Sequence, residues 1–191
     1  MDTYTHEEHR RQFAAWAAAS AARASPLCRF TRAQGFWLVR ASGLSKWGPS
    51  WDDLPLPEAF DLEHRKLRQT LKDLAVDQLP HIASKFSDGV AAKLINVYLK
   101  SLFHTDINVV SEDRRPEILA KLDMLHPPID RLLMDELCRK DVGGIRRIWK
   151  TMTARNWSSL NSEEYERLIK VIRIHTRGKM WAIEQHWSVD Q

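Results

Sequence analysis

Two residues near the middle of the chain have the types and settings that chemistry requires. Lys93 lies in the run Asp88-Gly89-Val90-Ala91-Ala92-Lys93-Leu94-Ile95-Asn96-Val97-Tyr98-Leu99-Lys100. There Asp88 and Gly89 break the preceding segment, and Val90, Leu94, Val97 and Leu102 then recur at helical spacing. Lys93 is therefore expected in the first turn of a buried amphipathic helix. Asp130 follows His126-Pro127-Pro128-Ile129, where the double proline prevents a helix from running through, and it precedes Leu132, Leu133 and Leu137 in the place of an N-cap. An amine becomes a nucleophile when burial removes its proton, and a carboxylate stabilises a developing positive charge. Read singly, Lys93 is a solvated side chain and Asp130 a cap. Read jointly, they are candidate catalytic groups carried at the mouths of two helices.

The run Gly-Val-x-x-Lys-x-x-Asn-Val-x-Leu, here Gly89, Val90, Lys93, Asn96, Val97 and Leu99, resembles the second half of the hairpin in helix-hairpin-helix DNA glycosylases of the endonuclease III and 8-oxoguanine glycosylase type. Ile129-Asp130 and the following leucines are similar to that superfamily's aspartate at a helix start. The resemblance covers about a quarter of the chain. It implies an enzyme that flips a damaged or modified base out of DNA and cleaves its N-glycosidic bond, in base repair or in defence against phage with modified DNA. Lys93 would be the nucleophile of a bifunctional member, with associated lyase activity, or would grip phosphate while Asp130 activates water. Gly89, Ala91 and Arg131 would touch DNA. Trp47, Trp51, Asn96 and His126 are the candidates for a base pocket. Ala91 stands where the family hairpin has a second glycine, and Arg131 and Leu132 replace the threonine and histidine that commonly follow the aspartate. The interval from Lys93 to Asp130 is about twice the family's, so residues 106–125 form an insertion. No cofactor and no metal are expected.

The 191 residues suffice for one well-buried domain or two small lobes sharing a core. A formal charge of +4 is compatible with a polyanionic partner. Only two cysteines are present, Cys28 and Cys138, without metal-ligand spacing. They exclude an iron–sulfur cluster and a disulfide framework, and they suit a reducing cytoplasm. No apolar run reaches membrane-spanning length. Arg10-Arg11 before an alanine-rich stretch has the look of an export signal. Glu7, Glu8 and Trp16 fit a structural helix better.

The elements that would position these groups are all helical. Helices are expected over about residues 5–24, with Phe13, Trp16 and Ala17 on one face and Pro26 as terminator, and over 29–40 and 58–76. Residues 42–57 have loop chemistry, with Gly43, Gly48, Pro49, Pro55 and Pro57. Their tryptophans either plug the core edge or, with Lys46, wall a base-binding cleft. Residues 80–86, the Ser87-Asp88-Gly89 turn and residues 90–103 read as helix, hairpin, helix. Ser111 to Pro116 is a polar turn before a helix through Lys121. Gly143-Gly144 opens another helix among Arg139, Lys140, Arg146, Arg147, Lys150 and Arg155, a recipe for holding phosphate or simply a charged solvated face. The last helix starts near Ser162, is interrupted near Gly178 and resumes through Trp187. The reading is an all-α, compact multi-helix domain with a helix-hairpin-helix-like element and no β-sheet. Residues 1–191 form one helical unit, with a central lobe at about 58–137 and the terminal helices as a second lobe. The expected partner is DNA, bound by a monomer. The competing reading is a non-catalytic basic DNA-binding or regulatory module using residues 139–179.

Overall fold

Helix-forming sequence punctuated by caps produces the elements of the structure, a computed structural model that describes residues 4–23, 25, 27–104 and 111–187. Eight α-helices are described: α1 (His6–Ala22), α2 (Arg32–Ala41), α3 (Phe60–Gln78), α4 (Asp88–Phe103), α5 (Arg115–Met124), α6 (Arg131–Arg139), α7 (Arg146–Thr153) and α8 (Ser162–His175). Short 3-10 turns connect them, and there is no strand among the described residues. Thr5 caps α1, Thr31 and Gln34 form a capping box on α2, and Asn161 and Glu164 form another on α8. Each satisfies amide groups that an uncapped helix start leaves unbonded. Residues 105–110, which include the start of the expected insertion, lie outside the described residues, as do Ala24 and Pro26.

Helix α4 is the axis of the molecule. Its residues are buried except for Val97, Lys100 and Ser101, which are partly accessible. Buried side chains from Ala14 to Ile183 join it in one hydrophobic cluster. Helix α1 packs on α4 and α2, and its buried residues are Ala14, Ala15, Ala18, Ala19 and Ala22. The expected apolar face of α1 is thereby corrected: Phe13 and Trp16 are 56% and 46% exposed. Alanine lets two helix backbones approach closely, so the small residues face inward and the aromatics are displaced outward. Gly35 of α2 serves the same end, because a Cβ there would stand 2.8 Å from the Cβ of Ala19.

The hairpin is corrected as well. Residues 80–86 contain only a 3-10 turn at Ala83–Lys85, and Asp88 and Gly89 belong to α4, which Ser87 caps by accepting from the Val90 amide. Lys93 therefore sits in the second turn of the helix. The Gly89 amide donates to the Leu160 carbonyl at 3.1 Å, and a Cβ on Gly89 would lie 1.9 Å from the Trp157 carbonyl oxygen. The glycine is needed so that the 157–160 segment can cross the start of α4. Ala91 is fully buried. Neither residue can present an amide to a DNA phosphate.

Gly89→Ala is expected to lower stability by at least about 2 kcal/mol, because the crossing backbone must move to admit a methyl group. Urea unfolding measures this, with Trp16→Ser on exposed α1 as a control expected within about 0.5 kcal/mol of the parent.

Candidate functional site

The partly accessible stripe of α4 is the floor of a cleft of about 500 Å³. Lys93, Val97, Lys100, Ser101 and His104 recur along it at helical spacing. Pro128, Asp130 and Leu133 close one side, Glu184 and Trp187 another, and Phe13 of α1 stands at the rim. The volume lies in the range of small-ligand sites.

Lys93 and Asp130, 37 residues apart, meet in this cleft, with Lys93 Nζ 3.1 Å from Asp130 Oδ2. Asp130 works with both oxygens. Its Oδ1 accepts the Leu133 amide at 2.9 Å, which is the expected N-cap of α6, and its Oδ2 faces the lysine. Lys93 is almost wholly buried, and its ammonium lies 5.5 Å from the centre of the Trp157 ring. Burial lowers its pKa from the ordinary lysine value, and the Asp130 carboxylate opposes that shift. A second pair, Lys100 with Glu184, crosses the same cleft. Burial, helped by the Lys100 charge, lowers His104 to about 4, so its imidazole is neutral at pH 7. The cleft therefore offers an amine eased toward neutrality, two carboxylates, a neutral imidazole and two exposed aromatic faces.

Of the four residues expected to line a base pocket, none lines this cleft. Trp51 is buried with its ring centroid 4.6 Å from that of Phe103, and Trp47 packs on Phe60 at 5.8 Å. Their segment plugs the edge of the core. Asn96 and His126 are buried in a polar network beneath the site. Asn96 Nδ2 donates to the Pro127 carbonyl at 2.9 Å and to the Tyr165 hydroxyl at 3.0 Å, while Asn96 Oδ1 accepts from His64 Nε2. The Tyr165 hydroxyl donates to His126 Nδ1, and His126 Nε2 donates to Asp61, which Arg173 also grips. Arg68 donates to His64 Nδ1. Every donor in this chain meets an acceptor only if both imidazoles are neutral, and burial holds both below the ordinary histidine pKa. Asn96, one turn beyond Lys93, thus pins the Pro127-Pro128 turn that aims Asp130.

The expected DNA-contacting residues fall into two groups. Gly89 and Ala91 are sealed in the core, whereas Arg131, Gly143, Gly144, Arg146, Arg147 and Lys150 are exposed on α6, α7 and the turn between them. The start of α7 is already occupied by a carboxylate: Asp141 Oδ1 accepts the Arg146 amide at 2.7 Å. A phosphate there would have to displace it, so the exposed cations rather than the glycine amides are the anion-facing groups. Phe13, Lys100, His104, Glu184 and Trp187 were not legible as site residues. Their spacing in sequence carries no signal, because they converge only through the packing of α1 and the C-terminal turn on α4.

No protein-family model matches the chain, and no curated protein or solved structure matches it. Among the described residues no group of three or more His, Cys, Asp or Glu is placed to hold a metal ion. No helix among them is long and apolar enough to cross a membrane.

The neutral histidines set a pH dependence. Unfolded, each imidazole takes up a proton near pH 6.5. In the fold the pKa of each is lower, so the unfolded chain binds more protons as pH falls below that value and stability declines. Urea unfolding between pH 7.5 and 5.5 is expected to show this loss, at up to about 1.4 kcal/mol per pH unit for each histidine. The Asp61 carboxylate, held well below its usual pKa against the cost of burial by Arg173 and His126, adds a further loss only below about pH 4.

Proposed function

We propose that the protein is a DNA glycosylase that flips a damaged or modified base out of the duplex and cleaves its N-glycosidic bond, in repair or in defence against phage carrying modified DNA. The observation that carries the reading is the Lys93–Asp130 contact at 3.1 Å on the wall of an open cleft. The two residues singled out by the resemblance are 37 residues apart in sequence and share one cleft. The exposed rings of Phe13 and Trp187 at the cleft supply stacking surfaces for an extruded base.

In this reading Asp130 faces the anomeric carbon and stabilises the positive charge that develops on the sugar as the bond to the base breaks. Lys93, once it has given up a proton, attacks the same carbon with its Nζ lone pair, and the base departs with the bonding electrons and takes up a proton. The covalent intermediate so formed rearranges to a Schiff base, the species from which strand cleavage follows. The burial of Lys93 supports this role, since desolvation disfavours the ammonium form. The protein would work in the cytoplasm as a monomer on duplex DNA.

Asp130→Asn keeps an oxygen for the Leu133 cap but turns an amide in place of a carboxylate toward Lys93, so the variant is expected to be less stable, and circular dichroism checks that it is folded under the assay conditions. Base release from duplex DNA carrying oxidised, alkylated and phage-type modified bases, followed by mass spectrometry, is expected to fall by about 10²-fold or more. Release of no base by the parent protein, or equal release by the variant, would remove the glycosylase reading.

A second reading is favoured by the sealed hairpin. The amide of Gly89 is spent on Leu160, so the phosphate grip implied by the resemblance is missing, while Arg131, Arg146, Arg147 and Lys150 remain exposed. A non-catalytic DNA-binding module would use that surface alone. Arg147→Ala with Lys150→Ala is expected to weaken DNA binding under either reading, reducing the slope of log K against log salt by about 2. Fluorescence anisotropy across a salt series measures it. Binding that depends on these two residues in a protein releasing no base would select the module.

A further inference from the structure

Tyr98 lies five residues beyond Lys93, on a different face of α4, and looks into a second cleft. Its ring is fully buried, yet its hydroxyl has no hydrogen-bond partner. Burying a hydroxyl without a partner costs free energy that a phenylalanine would not incur. The cleft has a volume of about 460 Å³ and is walled by α1, α2 and the Leu44–Lys46 turn. Helix α1 divides it from the Lys93 site: Glu8, Arg11, Gln12 and Ala15 face this side and Phe13 and Ala21 the other.

The lining carries three cations, Arg11, Arg40 and Lys46, and two carboxylates, Glu8 and Asp53. Of the two carboxylates, Glu8 Oε1 accepts from Gln12 Nε2 at 3.1 Å, and Asp53 Oδ2 accepts the Ser50 amide at 3.0 Å. Arg11 Nε donates to the Gly48 carbonyl at 2.9 Å. Arg40 and Lys46 have no ion pair among the described residues, and both are exposed. The Arg40 guanidinium stands 6.0 Å from the centre of the Phe36 ring, which also lines the cleft. The lining therefore carries a net positive charge of one, with Arg40 and Lys46 exposed at the rim, and one unpartnered hydroxyl at the floor, joined by an aromatic wall.

We propose that this cleft is a binding site for a small organic anion with a planar body. Its anionic group meets Arg40 and Lys46 at the rim, its ring lies against Phe36, and a polar atom of the ligand bonds to the Tyr98 hydroxyl. Such a ligand supplies counter-charge to a lining with one net positive charge and a partner for the Tyr98 hydroxyl. The site shares no residue with the Lys93 cleft, so it stands whether or not that cleft is catalytic.

Isothermal titration calorimetry on the full chain tests this with benzoate and AMP as planar anions and inorganic phosphate as an anion without a ring. Benzoate or AMP is expected to bind at least about tenfold more tightly than inorganic phosphate, and which of the two binds better tells carboxylate from phosphate. Tyr98→Phe and Lys46→Ala are each expected to weaken that binding by about tenfold. Without ligand, Tyr98→Phe is expected to leave Tm unchanged or raise it, and Asp130→Asn to leave binding unchanged. Planar anions that bind no better than phosphate, binding that survives both Tyr98→Phe and Lys46→Ala, or binding lost in Asp130→Asn would each overturn the proposal.

Discussion

The structure depends on one constraint: α4 is buried nearly all round yet carries a lysine and an asparagine in its interior turns. A buried ammonium and a buried amide must be matched, and both are matched by the same segment, residues 127–130. Asn96 donates to the Pro127 carbonyl and Lys93 to the Asp130 carboxylate, so two positions one turn apart on a helix set the path of a loop more than thirty residues away. The double proline makes that loop stiff enough for the match to hold. Asp130 then converts the loop into α6 by capping it. Packing, local turn chemistry and the candidate site are thus tied to one another.

Beneath this arrangement lies a polar layer that joins α3, α4 and α8. His64, Asn96, His126 and Tyr165 exchange hydrogen bonds in a directed chain that ends on Asp61 and Arg173, and Arg68 reaches His64, Ser162 and Glu166 from the same interior. A partly satisfied network would be worse than an apolar core, and this one leaves none of those four side chains without a partner. Its consequence for the site is rigidity. The Asp130 loop is held from below by groups that never reach the cleft, which is how a carboxylate can be aimed at a lysine without either being fixed by the ligand.

The hairpin resemblance and the geometry divide at Gly89. The glycine is required, but for a crossing of chain segments within the molecule, and the residues that resemble a phosphate grip are covered by the 157–160 segment. Lys93 and Asp130, by contrast, meet in an open cleft. The exposed cations among the expected DNA contacts lie on α6 and α7, and the start of α7 is filled by Asp141. If DNA is the partner, it is held by cations and not by backbone amides.

The sequence by itself determined the helical class, most helix positions and the N-cap at Asp130, and it singled out Lys93 and Asp130 as candidate groups. These are legible because periodicity, prolines and capping residues act within a few residues of themselves. The helix boundary at the hairpin is not legible in sequence, because Asp88-Gly89 has turn chemistry and only Arg68 and Lys72, remote in sequence, hold Asp88 inside the first turn of α4. The inward face of α1 is not legible either, because aromatic residues outrank alanines in hydrophobicity, whereas close helix packing prefers the alanines. Only the tertiary structure decided which aromatics reach the cleft. Trp47 and Trp51 have loop settings that suggest exposure, yet a neighbouring core absorbs them, while Phe13 and Trp187 come together from the two ends of the chain. Burial and convergence are properties of contacts remote in sequence, and no local pattern records them.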